Sequence, residues 1–120
     1  MEIIWLPLAE KALEAIFSFY EEKSIQAAWK IITDILQATD QLSIHPEMAE
    51  AEQLLQERPE TFRSLVVRQT YKVVNYIEDT VIYIADVWDC RQSPEKMKKG
   101  IPNSKRSDWS KNDTPKNRIV

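Results

Sequence analysis

The sequence predicts an α+β fold: an N-terminal strand, an α-helical hairpin, then a three-stranded antiparallel meander, with both helices on one face of the sheet. Two observations predict it. Apolar residues recur at helical spacing from about residue 8 to 43, and the period then changes to β-branched and aromatic runs from 62 to 88. Helices grouped before strands bury their apolar faces as two packed layers. Residues 2–6 (EIIWL) form a short apolar run that reads as a buried strand, ended by Pro7, which suits the first turn of a helix. Ala9, Ala12, Leu13, Ile16, Phe17 and Tyr20 then follow one helical face over about 8–22, opposite Glu10, Lys11, Glu14, Glu21 and Glu22. Ser24 is a good N-cap for a second helix over about 25–43. That helix carries two adjacent apolar stripes, Ile25/Ala28/Trp29/Ile32/Leu36 and Ile31/Ile35/Ala38/Leu42. Its apolar surface is wider than one contact needs, so it should pack on the first helix and the sheet together.

Residues 44–61 are bounded by Pro46 and Pro59 and read as an irregular connection with a helical turn near 48–57. Strands are expected over 62–69, 71–78 and 80–88, with a tight turn at Glu78-Asp79-Thr80. From Gly100 onward apolar residues are sparse and Ser, Asn, Asp, Lys and Pro dominate. Such a segment buries too little to offset its ordering entropy. The expected organisation is therefore one domain over 1–97 and a basic, disordered tail over 98–120.

Composition narrows the chemistry. The chain has 120 residues, enough to bury roughly two thirds of its unfolded surface in one domain without staples. A single cysteine, Cys90, rules out an intrachain disulfide, and Cys90 with the single histidine, His45, cannot supply a structural zinc site. The one glycine, Gly100, excludes the dinucleotide-binding fingerprint, the Walker A loop and the nucleophile elbow, each of which needs at least two. No cofactor or metal is expected. No apolar run approaches a membrane span, and Glu2 stands where a signal peptide would carry positive charge, so a soluble cytoplasmic protein is expected.

The net charge of −3 hides an asymmetry: residues 1–57 carry −8, residues 58–97 are balanced, and residues 98–120 carry +5. Positive charge displaced toward the C-terminal half either meets an anionic partner or balances an acidic body for solubility. Three constellations bear on chemistry. A Cys90/His45 dyad would need a thiolate and a base within hydrogen-bond reach, and nothing in the sequence brings them together. The carboxylates of 47–60 (Glu47, Glu50, Glu52, Glu57, Glu60) read as solvated and equivalent, unlike an acid–base pair in two environments. The third is the basic set Arg63, Arg68, Lys72 and Arg91. Lys72 shares a strand face with Val74 and Tyr76, and Arg63 with Leu65 and Val67. Should both project from a sheet face free of helices, they line with Arg91 a cationic surface suited to a phosphodiester. Tyr71, Tyr76, Tyr83 and Trp88 would offer rings for base stacking. The alternative is the ordinary polar side of a sheet with one wet face.

The ordered set Trp5-Leu6-Pro7, Leu13, Ile16, Tyr20, Ser24, Ala27-Ala28, Leu42, Pro46, Phe62-Arg63-Ser64-Leu65-Val66-Val67, Tyr71-Lys72-Val73-Val74 and the closing Asp89-Cys90-Arg91-Gln92-Ser93-Pro94 resembles the RelE/ParE superfamily, toxins of type II toxin–antitoxin modules also called plasmid stabilisation proteins. The resemblance spans about residues 2–97, and the ordered set carries it rather than any single motif. It implies a small bacterial growth-inhibiting toxin held inactive by a cognate antitoxin encoded beside it. One branch of the superfamily cuts mRNA in the ribosomal A site; the ParE branch is associated with DNA gyrase. For the nuclease branch, the resemblance puts Arg63, Lys72 and Arg91 on three of its basic catalytic positions. Leu65 then falls where a second strand lysine would be, and Met97 near the expected tyrosine, so the set is incomplete. The ParE-like reading, inhibition by target binding with Arg68, Arg91 and Lys96 as contacts, therefore leads. A ribosome-dependent endoribonuclease or an inactive antitoxin-binding homologue is the alternative. Arg91 has an alternative of its own, an ion pair with Asp89 or Asp86 that would anchor the strand end.

Overall fold

The computed structural model describes residues 1–101. Its elements run β1 (Glu2–Trp5), α1 (Pro7–Glu21), α2 (Ile25–Gln41), β2 (Glu50–Ala51), β3 (Arg63–Val67), β4 (Tyr71–Glu78), β5 (Val81–Asp89) and α3 (Pro94–Gly100), with single 3₁₀ turns at Pro46–Met48 and Gln53–Leu55. The α+β class and the helical hairpin agree with the sequence reading. Pro7 occupies the first turn of α1, and the Ser24 Oγ accepts from the Ala27 amide at 3.1 Å to cap α2.

The sheet has order β1-β5-β4-β3-β2. Strands β3, β4 and β5 form the expected antiparallel meander. The hairpin between β3 and β4 is tighter than expected: Arg68 and Gln69 both take positive φ, and Thr70 N donates to Val67 O at 3.1 Å. Two left-handed residues match the strand twist as a type I′ turn does, so the first strand ends at Val67 rather than at residue 69. Asp79, also at positive φ, turns β4 into β5 where Glu78 faces Val81. Strand β1 lies parallel to β5 on one edge, and the two-residue β2 pairs with β3 on the other.

Both faces of this sheet are covered, which corrects the expectation of one wet face. The helical hairpin buries Ala9, Ile31, Ile35 and Leu42 against Val73, Ile82, Ile84 and Val87. On the opposite face Leu55, Phe62, Met97 and Ile101 close over Val74, Tyr76, Tyr83 and Trp88. Burial on both faces explains why β5 is an unbroken buried run from Ile82 to Trp88 rather than an alternating one.

The second cover comes from segments that carried little periodicity. Helix α3 is two turns long, is capped by Ser93, starts on Pro94, and buries only Met97. Ile101 follows it and is buried, and the Arg58 guanidinium donates to the Lys98 and Ile101 carbonyls at 2.7 and 3.0 Å. The expected domain boundary at 97/98 therefore falls inside a packed helix; residues 102–120 of the expected tail lie outside the described residues. A chain ending at residue 97 should unfold about 2 kcal/mol more easily than one ending at 101, because burying an isoleucine is worth about 1.5–3 kcal/mol. Urea unfolding of the two chains measures this, and equal stabilities would contradict the docking of 98–101.

Candidate functional site

The expected cations do not share a surface. In the β3–β4 register Val66 faces Lys72, so Arg63, three residues before Val66, projects from the opposite face. Arg63 lies on the side of the helical hairpin with Leu65 and Val67, and its Nη1 donates to the Ala49 carbonyl at 2.8 Å. Lys72 lies on the side of α3, where its Nζ donates to Glu52 Oε1 at 2.9 Å. Arg68, in the β3–β4 turn, is paired with Asp34 of α2. Arg91 grips Asp89 through two side-chain donors at 3.0 and 2.8 Å, the intramolecular pair, and not Asp86.

Glu52 is the residue that sequence reasoning missed on this face. Its segment was expected to be solvated, yet Glu52 is 3% exposed. Oε1 accepts from Ser64 Oγ at 2.8 Å as well as from Lys72, and Oε2 accepts from the Leu54 amide at 3.1 Å. Burial alone would raise its carboxyl; the hydrogen bonds from Lys72, Leu54 and Ser64 outweigh that and hold it below the usual glutamate value. Both carboxylate oxygens of Glu60 are also removed from solvent. The rings expected for base stacking are spent on the core: Phe62, Tyr76 and Tyr83 form one aromatic cluster, and Trp88 is buried beside it. Cys90 is exposed, and desolvation pushes its thiol up, opposite to what a nucleophile needs. His45 is paired with Glu47. Among the described residues no three His, Cys, Asp or Glu side chains are grouped to hold a metal ion, and no helix is long and apolar enough to cross a membrane.

Two grooves flank α1. One, of about 440 Å³, is lined by Trp5, Leu13, Phe17, Trp29 and Leu36 and rimmed by Glu10 and Glu14. Trp29 is 58% exposed there, edge-on to Phe17. The other, of about 540 Å³, runs between α1, the end of β5 and α3. It exists because β1 stops early. The β1 ladder reaches only Ile84, Leu6 N donates to Ile84 O, and Pro7 turns the chain into α1, leaving β5 beyond Ile84 without a strand on that side. Arg91 and Lys96 stand at this groove's rim, with the Tyr71 hydroxyl donating to that of Tyr20 at 3.3 Å. Burial raises the Tyr71 hydroxyl, whereas Tyr71 and Arg91 lower that of Tyr20. Asp89 is held below its usual value by Arg91. Asp86 lines the groove at 7% exposure, and burial pushes its carboxyl up to about 6. A charged residue inside the apolar run Ile84-Ala85-Asp86-Val87-Trp88 was the one sequence signal for it.

Folding raises the Asp86 carboxyl from about 3.9 to about 6, so between those values the folded chain holds the extra proton, and stability from this group rises as pH falls. Asp86→Asn should therefore stabilise the chain above pH 7 by on the order of 2 kcal/mol, with the gain shrinking toward pH 4. Urea unfolding at pH 7.5 and 4.5 checks this; a difference from wild type that is the same at both would contradict it.

Comparison with known proteins agrees with this architecture. The family described as the ParE toxin of type II toxin-antitoxin system, parDE, matches residues 3–94. No curated protein matches the sequence. Among solved structures, a chain of the chromosomal ParDE toxin–antitoxin system from P. aeruginosa superposes with a TM-score of 0.62 at 21% identity, covering 74% of this chain and 95% of its own. At that identity the likeness speaks for the fold, while the family match spans β1 to the start of α3 and with it the elements described above. The chain thus belongs to the ParE toxin family of type II toxin–antitoxin systems.

Proposed function

We propose that this toxin arrests growth by binding its target, in the ParE manner with DNA gyrase as that target, and that a cognate antitoxin neutralises it in the cytoplasm. The observation that carries the reading is the fate of the cations that RNA cleavage would use. Lys72 is neutralised by buried Glu52, and Arg63 is turned to the other face to hold a backbone carbonyl. Electrostatic stabilisation of a cleavage transition state needs donors converging on one phosphate, and these diverge. Arg91 and Lys96 stand together beside the β5 groove. The Arg91–Asp89 pair is exposed, and solvent and salt screen such pairs until they add little, so Arg91 exchanges Asp89 for a partner's carboxylate or phosphate at little cost.

The antitoxin half rests on the Trp29 groove. An exposed tryptophan with Leu13, Phe17 and Leu36, rimmed by Glu10 and Glu14, suits an amphipathic helix with basic flanks. Large apolar patches left open otherwise favour aggregation.

Induction of the chain in cells, with supercoiling by purified gyrase and primer extension on cellular mRNA as readouts, tests the target. Supercoiling should be inhibited, Arg91→Ala should relieve the inhibition and the arrest without loss of thermal stability, and mRNA should remain intact. Cleaved mRNA with unaffected supercoiling would contradict the reading in favour of a ribosome-dependent nuclease. An absence of arrest would contradict it in favour of an inactive antitoxin-binding homologue.

A further inference from the structure

The groove beside β5 contains a carboxylate that no cation of the described residues pairs with. Asp86 is more than nine-tenths buried, yet among the described residues its one hydrogen bond is from the next residue, the Val87 amide, to Oδ1 at 2.8 Å. No Lys or Arg among the described residues pairs with it; Arg91, the nearest in sequence, pairs with Asp89 instead. That single bond also marks where Asp86 sits. The Val87 amide faces the side of β5 that β1 has left, and the Asp86 carboxylate fills the place a neighbouring strand would take. The irregular register opposite Val74 and Asn75 is what sets it there: Asn75 faces Ile84 and Val74 faces Asp86, so Ala85 is the extra residue.

Burying a charge without a partner is costly, and folds avoid it unless something supplies the counter-charge. The surroundings say what supplies it here. Leu8, Ala12, Ala15 and Ile16 of α1 line the groove with apolar side chains, two of them small, and Trp88 of β5 lines it as well. A single cationic side chain flanked by apolar ones matches that lining. A polybasic segment does not, because Arg91 and Lys96 stand at the rim. We propose that this groove seats a segment of the antitoxin that carries one arginine or lysine between apolar side chains, with the cation entering to pair with Asp86. The assignment to the antitoxin rests on the neutralisation reading above; the chemistry of the groove does not.

Two measurements keep these apart. The full chain and its Asp86→Asn variant are titrated with the peptide acetyl-Leu-Ala-Arg-Ala-Leu-amide and with its citrulline counterpart, following backbone amide NMR signals. Asparagine keeps the shape and the acceptor for Val87, so the variant folds; its melting temperature verifies that. The expected result is saturable shifts at Val87, Trp88 and Asp89 with the arginine peptide, and at least tenfold weaker binding both for the citrulline peptide and for the variant. Equal affinities, shifts confined to Trp29, or no saturation would overturn the cation site. A chain ending at residue 101 that binds the peptide at least tenfold more tightly than the full chain would overturn it in favour of this chain's own C-terminal residues. Separately, the product of the adjoining reading frame is copurified with each chain. Retention by wild type and at least tenfold weaker retention by Asp86→Asn supports the antitoxin as occupant. Equal retention by both overturns that occupant alone. Retention by neither defeats the neutralisation reading, and the peptide result then stands or falls by itself.

Discussion

The Glu52 carboxylate ties three parts of the chain together from one buried position. Its backbone amide donates to Phe62 O at 2.9 Å, and its side chain gathers Ser64 from β3, Lys72 from β4 and the Leu54 amide from the 3₁₀ turn. That clamp presses residues 52–62 onto the sheet, and the pressed segment supplies Leu55 and Phe62 to the core. It also carries Arg58, whose guanidinium holds the last carbonyls of α3. Remove the clamp and the second cover of the sheet loses its base.

Function follows from that cover. A sheet packed on both faces has no open platform on which strand cations and aromatic rings could meet an RNA. Lys72, Tyr76, Tyr83 and Trp88, which the register across the β5 bulge places on the same side, are spent on structure. Besides a cavity of about 610 Å³ at the β2 edge, lined by Glu52, Ser64, Leu65 and Lys72, two surfaces lie at the margins of α1: the Trp29 groove on one flank and the β5 groove on the other. The first is largely apolar, and the second joins apolar side chains of α1 to Asp86, Asp89, Arg91 and Lys96, linings that suit protein partners. ParE-type target binding and antitoxin capture fit margins of this kind.

Strong periodicity was legible and weak periodicity was not. Helices α1 and α2 were readable because Leu13, Ile16 and Phe17, then Ile31, Ile32 and Ile35, repeat over four turns. The hairpins were readable because β-branched runs stop at short polar breaks. Helix α3 escaped because two turns place only Met97 in the core, too few to set a period, and β2 because two residues carry none. The opposed faces of Arg63 and Lys72 followed from the register across the Arg68–Gln69 turn, which depends on a left-handed backbone at residues with ordinary side chains. Glu52 was misjudged because a glutamate among four others looks solvated; its burial depends on Ser64 and Lys72, twelve and twenty residues away.

Lys72 is held to the fold by Glu52, and a double-mutant cycle on Glu52→Gln and Lys72→Met tests that coupling. Urea unfolding of the four chains reads the coupling. Breaking a buried pair from one side costs about 3–5 kcal/mol and removing both partners far less, so each single variant should be strongly destabilised. The double variant should recover well over about 1 kcal/mol of the summed loss. Single losses within about 0.5 kcal/mol that simply add would mean that Lys72 stands free of the fold, and would contradict the account.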